Sequence, residues 1–295
     1  MANGILIIDK PQGWTSMDVC AKLRGMFREK RVGHAGTLDP MATGVLPVFI
    51  GRATRAVEFA AGSDKEYIAG LKLGIITNTQ DATGEILEER AVEVTRNQLL
   101  AALERFTGDI EQVPPMYSAV KINGKKLYEL ARKGKEVERR PRPVTIHTLE
   151  LLEGAPPAGA DFALRVVCSK GTYVRTLCHD IGQALGCGGC MASLRRVRAA
   201  GFTLEDSVTL DAVQAAVDRG EGESLLLPVD SCFAGLPVLV LKNAAAEKKV
   251  RNGGLLAARG IPDGEYRVYG MDKTFLALGR AADGRLSTVK SFFEV

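Results

Sequence analysis

Apolar and polar positions along the chain follow patterns that predict a series of short strands and helices. Residues 5–9 and 45–50 are mainly apolar runs of strand length, and residues 66–74 alternate imperfectly between apolar and polar side chains. Between the first two runs, Thr15 and Asp18 form a capping-box pattern, after which apolar residues recur at helical spacing. A second, short helix is predicted to begin at Gly51, so this part of the chain predicts three strands and two helices.

The same reasoning extends to the middle of the chain. The patterns there predict two strands and three helices, with the helices beginning near residues 95, 174 and 209 and the strands at residues 143–152 and 162–168. Residues 81–84, Asp-Ala-Thr-Gly, indicate a hairpin turn before the first of these helices.

Beyond residue 236 the pattern changes to short alternating runs. Four such runs, at residues 238–241, 266–269, 275–278 and 286–293, are separated by turn signals that include two Asp-Gly dipeptides. We therefore predict two domains, a larger one over residues 1–232 and a small β-rich one over residues 233–295.

The loop at residues 33–44 carries the most concentrated candidate chemistry. It places His34 and the carboxylate of Asp39 among glycines, which allow another molecule to approach the backbone closely. Pro40 biases Asp39 away from helical geometry and toward a turn. Composition leaves two interpretations open: a catalytic acid held at the tip of a loop, or an ordinary Asp-Pro turn.

Composition excludes several classes of protein. The chain has 295 residues, of which 46% are hydrophobic and 25% charged, as in soluble globular proteins. It contains no apolar run of membrane-spanning length and no signal-peptide pattern, so we expect a cytoplasmic protein without a membrane partner. Six scattered cysteines include a Cys-x-x-Cys at residues 187–190, but a structural zinc site needs four ligands. We expect reduced thiols and no metal.

Charge is distributed unevenly although the net charge is only +4. Residues 121–142 carry nine Lys or Arg against three Glu, whereas residues 203–230 carry seven acids against one Arg. A segregated positive surface attracts phosphates. The alternative is that these are solvated surface residues without a ligand.

Four stretches resemble, in the same order, motifs of the TruB family of tRNA pseudouridine synthases. They are Lys-Pro-Gln-Gly-Trp-Thr-Ser at 10–16, His-Ala-Gly-Thr-Leu-Asp-Pro at 34–40, the region 114–134 with Pro-Pro-Met-Tyr-Ser-Ala-Val-Lys, and Gly-Thr-Tyr-Val-Arg at 171–175. The resemblance covers most of residues 4–202. It implies an α+β fold with a mixed, mainly antiparallel sheet flanked by helices, followed by a small β-rich PUA-like RNA-binding domain.

The resemblance also implies roles for individual residues. Asp39 would be the nucleophile or base, Arg175 its ion-pair partner, and Tyr67 the ring that stacks on the target base and helps remove its C5 proton. His34 would fill the space that the base vacates. The other residues implied to bind substrate are Tyr173, Leu194 as an apolar wall, Lys10, Gly36, Thr37 and Lys121.

The activity implied is the isomerisation of uridine 55 in the T loop of elongator tRNAs, after the base has been flipped out of its stack. The expected partner is the T-arm stem-loop of tRNA, and no cofactor is expected. Because long Lys-rich tails are absent, we expect a stand-alone monomer rather than an RNA-guided member of a multi-protein particle.

Two further classes of function stay open at this point. A non-catalytic RNA binder would use the same positive surface without needing Asp39 or Arg175. A sugar- or phosphate-processing hydrolase would need a second carboxylate or a metal beside Asp39.

Overall fold

The computed structural model describes residues 2–122 and 124–293 of the chain. The strands and α-helices follow in the order β1 (Gly4–Lys10), α1 (Ser16–Phe27), β2 (Val32–His34), β3 (Thr43–Ile50), α2 (Val57–Ala61), β4 (Lys65–Leu73), β5 (Ile75–Thr77), β6 (Ile86–Glu89), α3 (Arg96–Arg105), β7 (Gly108–Gln112), β8 (Lys121–Ile122), β9 (Lys125–Lys126), α4 (Leu127–Ala131), β10 (Arg142–Leu151), β11 (Phe162–Cys168), α5 (Val174–Ala184), β12 (Gly189–Ala199), β13 (Phe202–Thr203), α6 (Leu210–Asp218), β14 (Val238–Val240), α7 (Ala244–Arg251), β15 (Leu256–Ala257), β16 (Gly264–Tyr269), β17 (Phe275–Ala282) and β18 (Arg285–Ser291). Short 3₁₀ helices lie at Gly51–Ala56, Leu204–Asp206, Gly222–Leu225 and Val229–Phe233.

The larger sheet has the strand order β1-β3-β12-β4-β11-β10-β7, with β2 added to β3 and β13 to β12. Its neighbouring strands are antiparallel except β3 and β12, which are parallel. The predicted α+β fold with a mixed, mainly antiparallel sheet is therefore confirmed. None of the helices in the described ranges is long and apolar enough to span a membrane.

The contact between β3 and β12 explains one glycine of the predicted loop. Thr43 pairs with Arg195 and Gly44 with Arg196. Gly44 has φ +100°, and a Cβ atom there would lie 2.1 Å from the Arg196 carbonyl oxygen. Only glycine allows the end of the loop to lie this close to β12. As a result, the loop reaches the strand that borders β4, on which Tyr67 lies.

Helices α1, α5 and α6 cover the larger sheet through the apolar positions that the sequence pattern predicts. Helix α1 begins with the predicted capping box between Thr15 and Asp18, and Val19 and Leu23 on its inner face are buried. On α5, Leu177 and Ile181 belong to the same hydrophobic core. The period of the apolar residues therefore fixes which face of each helix contacts the sheet.

The smaller sheet has the order β14-β16-β17-β18-β15 and packs beside α7. It contacts the larger part of the molecule through aromatic rings. The ring centroid of Phe233 lies 5.5 Å from that of Phe59, which follows β3, and 5.7 Å from that of Phe292, which follows β18. The four predicted runs correspond to β14, β16, β17 and β18, whereas α7 was not predicted. Val250 is its only large apolar residue, so the sequence contains no repeat of large apolar residues at helical spacing there. The domain boundary at 232/233 stays a prediction.

Candidate active site

The loop that carries Asp39 lies between β2 and β3 and is fastened from two sides. The Ser16 hydroxyl, in the first turn of α1, accepts a hydrogen bond from the Leu38 backbone N–H at 2.9 Å. The Gly13 backbone N–H donates to the Pro40 carbonyl at 2.8 Å. Asp39 therefore occupies a fixed turn, as the bias imposed by Pro40 predicts, and its side chain is 36% exposed.

Arg175, in the first turn of α5, is the principal partner of the Asp39 carboxylate and is only 5% exposed. Its Nε lies 3.0 Å from Asp39 Oδ2, and its Nη2 lies 3.4 Å from Oδ1. Nη1 also donates to the Thr79 carbonyl at 3.1 Å, and Nη2 to the Tyr117 carbonyl at 2.8 Å. The planar guanidinium is thus held from several directions, which fixes the orientation of the carboxylate.

A second carboxylate, that of Asp81, contacts the same guanidinium. The sequence analysis did not predict Asp81 as a site residue. Its Oδ2 lies 3.6 Å from Arg175 Nη1, and its Oδ1 accepts from the Thr79 hydroxyl at 2.9 Å and the Thr83 N–H at 3.0 Å. The sequence predicts Asp81 only as part of the turn between β5 and β6. Threonines two residues before and after it are the local signal for a carboxylate held in place.

The pKa of Asp39 is raised above its ordinary value, mainly because burial disfavours the charged carboxylate. The positive charge of Arg175 lowers this pKa, whereas the negative charge of Asp81 raises it further. The charge of Arg175 therefore opposes the effect of burial but does not cancel it.

Tyr67 on β4 lies on the strand next to β12, which carries Leu194. In the pairing of these strands, Leu194 is opposite Ala69 and Arg196 is opposite Tyr67. Both Tyr67 and Leu194 are buried in the main hydrophobic core. Burial raises the pKa of the Tyr67 phenol, and the negative charge of Asp39 acts in the same direction. The charge of Asp39 therefore reaches the Tyr67 phenol.

Two family models match adjacent parts of the chain. The family model "TruB family pseudouridylate synthase (N terminal domain)" matches residues 24–174, and "tRNA pseudouridylate synthase B C-terminal domain" matches residues 175–234. The chain belongs to the TruB family of pseudouridylate synthases. This membership makes it an enzyme of the isomerase class and decides against the non-catalytic RNA binder.

Curated relatives of this TruB-family chain match over nearly its full length. One, from Cupriavidus metallidurans, is named tRNA pseudouridine synthase B and is 45% identical over 292 residues, or 96% of this chain and 92% of the relative. Another of the same name, from Clostridium kluyveri, is 41% identical over 295 residues, or 98% of this chain and 99% of the relative.

Solved structures show the same fold. A chain of a Cbf5-Nop10-Gar1 complex superposes with a TM-score of 0.75 at 28% identity, covering 98% of this chain and 85% of the other. A chain of an H/ACA RNP bound to a substrate RNA containing 2′-deoxyuridine gives a TM-score of 0.74 at 26% identity, covering 99% and 85%.

Lys10, which is predicted to bind substrate, bonds the backbone of neighbouring turns. The side chain is 0% exposed. Its Nζ donates to three backbone carbonyls: Trp14 at 2.6 Å, Pro11 at 2.9 Å and Pro40 at 3.3 Å. These bonds use all three ammonium protons. Burial lowers the pKa of Lys10 to about 8. The structure therefore places Lys10 beneath the TruB-family loop, where it fastens the carbonyl that follows Asp39.

His34, Gly36 and Thr37 lie in the same loop in different environments. Burial lowers the pKa of His34, which favours a neutral imidazole at neutral pH. Its Nδ1 is buried and has no hydrogen-bond partner in the described part of the chain. Gly36 has φ +87°, and its carbonyl accepts from Arg196 Nη2 at 3.1 Å. Thr37 is exposed.

Tyr173 and Lys121 lie on two different segments around this centre. Tyr173 is the N-cap residue of α5, and Gln112 bonds both its N–H, at 2.9 Å, and its carbonyl, at 3.2 Å. Lys121 is exposed on β8 in the basic segment 121–142. This segment follows Tyr117, whose carbonyl accepts from Arg175. The basic segment therefore begins four residues after a direct contact of Arg175.

Arg196 is a second residue that the sequence analysis missed. It is 0% exposed, and its Nε donates to the Val45 carbonyl at 2.7 Å. In the sequence it appears only as one of several basic residues at 195–198, because its partners are distant along the chain.

All six cysteines are free thiols, and both residues of the Cys-x-x-Cys, Cys187 and Cys190, are buried. Within residues 2–122 and 124–293, no group of three or more His, Cys, Asp and Glu side chains could hold a metal ion.

Proposed function

We propose that this chain converts uridine 55 in the T loop of tRNA to pseudouridine, with Asp39 as the nucleophile or base. The observation that carries the proposal is the carboxylate of Asp39, accessible at a loop tip and held from behind by the buried fork of Arg175. Curated relatives with the name tRNA pseudouridine synthase B support tRNA as the substrate. We further propose that the protein recognises its substrate through the T arm.

The reaction is balanced within the nucleotide itself. The N1–C1′ bond breaks, a C5–C1′ bond forms, the proton at C5 is removed, and N1 receives a proton. The product has the composition of the substrate, so the chemistry requires acid–base and nucleophilic groups only.

The target base has to leave its stack to reach Asp39, since a stacked base in a folded loop is inaccessible. Unstacking costs about a few kcal/mol, which contacts to the rest of the RNA offset. Tyr67 and Leu194, which form a mostly apolar wall across β4 and β12, are suited to receive the flipped ring. The neutral imidazole of His34 suits the filling of the vacated space better than proton transfer.

The RNA backbone is proposed to lie along the basic segment 121–142. Most of its Lys and Arg side chains are exposed, including Lys121, Lys125 and Lys133. Phosphate contacts position a nucleic acid without reading its sequence. The enzyme is proposed to work as a monomer in the cytoplasm, without a guide RNA.

The test is to locate the modified nucleotide. Purified protein is incubated alone with an unmodified tRNA transcript, and pseudouridine is mapped by carbodiimide labelling and primer extension. We expect one modified position, uridine 55, which disappears when that uridine is changed to cytidine. Modification at another position, or a requirement for a second RNA or protein, would contradict the proposal.

A further inference from the structure

Arg196 joins two segments of the active site from inside the protein. Its Nε donates to the Val45 carbonyl on β3 at 2.7 Å, and its Nη2 donates to the Gly36 carbonyl at 3.1 Å. Gly36 lies three residues before Asp39 in the same loop. A single guanidinium therefore sets the distance between this loop and the strand that follows it.

The same side chain reaches a third segment. Arg196 on β12 is directly opposite Tyr67 on β4, and residues opposite one another in an antiparallel pair project to the same face of the sheet. The charge of Arg196 therefore acts on the Tyr67 hydroxyl from the same face of the sheet. The positive charge of Arg196 lowers the pKa of Tyr67, against the larger effect of burial.

The electrostatic environment of Arg196 makes its burial costly. Among the described residues, no carboxylate lies within ion-pair distance of its guanidinium. Two neighbouring cations, Lys10 and Lys65, have their pKa values lowered in part by its charge. A buried charge without a counter-ion is costly, and an apolar residue of similar volume would often stabilise such a site better.

We propose that Arg196 is a positioning residue, which fixes the Tyr67 hydroxyl relative to the loop that carries Asp39. This inference rests on the proposed function, in which Asp39 and Tyr67 act on the same base. The guanidinium suits this task because its rigid planar fork bonds the Gly36 and Val45 carbonyls while Arg196 lies directly opposite Tyr67. The ammonium of a lysine cannot reproduce that geometry.

The matched control is Arg198, two residues further along β12. Its side chain is 41% exposed and paired with Glu66, so it lies outside the catalytic and binding machinery described above. Single-turnover rates of pseudouridine formation, tRNA dissociation constants and denaturation midpoints are measured for Arg196→Lys, Arg198→Lys, Tyr67→Phe and the Arg196→Lys/Tyr67→Phe double variant.

We expect Arg196→Lys to lower the single-turnover rate by about 10- to 100-fold, as for the loss of hydrogen bonds to a charged group. Its tRNA dissociation constant should stay within about two-fold of wild type, because the interaction acts on chemistry rather than on binding. Arg198→Lys should behave as wild type. In the Tyr67→Phe background, Arg196→Lys should cause little further loss, since residues that act through one another are not additive.

Chemical rescue of Arg196→Ala, which leaves a cavity in place of the guanidinium, gives an independent test of a positioning role. Millimolar methylguanidinium should restore part of the single-turnover rate of Arg196→Ala and should leave Arg198→Ala unchanged.

Three results would overturn the inference: a wild-type rate in Arg196→Lys, fully additive losses in the double variant, or no rescue of folded Arg196→Ala. If wild type forms pseudouridine at uridine 55, Asp39→Asn does not, and Arg196→Lys matches wild type, the proposed function stands and only this inference fails. If wild type itself leaves uridine 55 unmodified, the proposed function fails and the role of Arg196 fails with it.

Discussion

The guanidinium of Arg175 and the carboxylate of Asp81 lie 3.6 Å apart, and both side chains are almost completely buried. The same guanidinium holds the more accessible Asp39. One cation is therefore shared by two acids, and Asp81 and burial together keep the pKa of Asp39 above its ordinary value.

Replacing Arg175 by lysine should disable the enzyme although the charge is kept. A point charge cannot bond two carboxylates and two carbonyls at once. We expect the rate to fall by about 100-fold or more, consistent with the loss of several charge-assisted hydrogen bonds, with tRNA binding little changed. The control is Arg165→Lys on β11, a partly exposed arginine paired with Glu66 and Glu150. Equal activity of the two variants would refute this role for Arg175.

Asp81→Asn should change the pH dependence of the rate. Asp39 has to be ionised to act. Because its pKa is raised, activity should be lost on acidification at a higher pH than for an ordinary aspartate. Removal of the Asp81 charge lowers the pKa of Asp39, and the acid limb of the rate profile should move to lower pH. The maximal rate should also decrease, because Arg175 loses a partner. Asp161→Asn, which changes a surface partner of Lys72, should leave the limb in place.

Asp39→Asn should stabilise the folded protein at neutral pH while abolishing activity. The pKa of Asp39 is higher in the folded than in the unfolded state, so between these two values the folded state binds more protons. Stability contributed by this group is therefore lost as pH rises through that window, and the neutral amide avoids the loss. Denaturant midpoints should be higher for Asp39→Asn at pH 7, and the difference should shrink as pH falls toward the ordinary value of about 4. A lower midpoint at pH 7 would contradict the raised pKa.

Substitutions in the basic segment should weaken tRNA binding and its dependence on salt. Changing Lys121, Lys125 and Lys133 to glutamine should raise the dissociation constant. The slope of log K against log salt concentration should become shallower by about 0.7–0.9 for each phosphate that the protein no longer neutralises. Arg219→Gln, in the acidic stretch at 203–230, should leave both unchanged. A salt response identical to wild type would exclude this segment as the RNA-binding surface.

Local pattern was sufficient to predict most of the fold. The capping box at Thr15 and Asp18 begins α1, and the alternation around Tyr67 predicts β4 to within one residue at each end. Such features depend on neighbours within one turn or one strand, so the sequence carries them directly.

The interior of the site depends on long-range contacts and was predicted less well. Arg196 bonds Val45, 151 residues away, and no local pattern marks it as buried. The burial of Lys10 beneath Pro40 likewise follows from the approach of two distant turns. The pairing of Arg175 with Asp39, 136 residues apart, was anticipated only because their motifs resemble those of a family.

The most direct test of the account is tritium release from a tRNA transcript labelled with [5-³H]uridine, because formation of the C5–C1′ bond expels the hydrogen at C5. We predict release by the wild-type protein, and loss of release with Asp39→Asn or with a transcript whose uridine 55 is replaced by cytidine. Release at the wild-type rate by Asp39→Asn would contradict the central claim that Asp39 carries the chemistry.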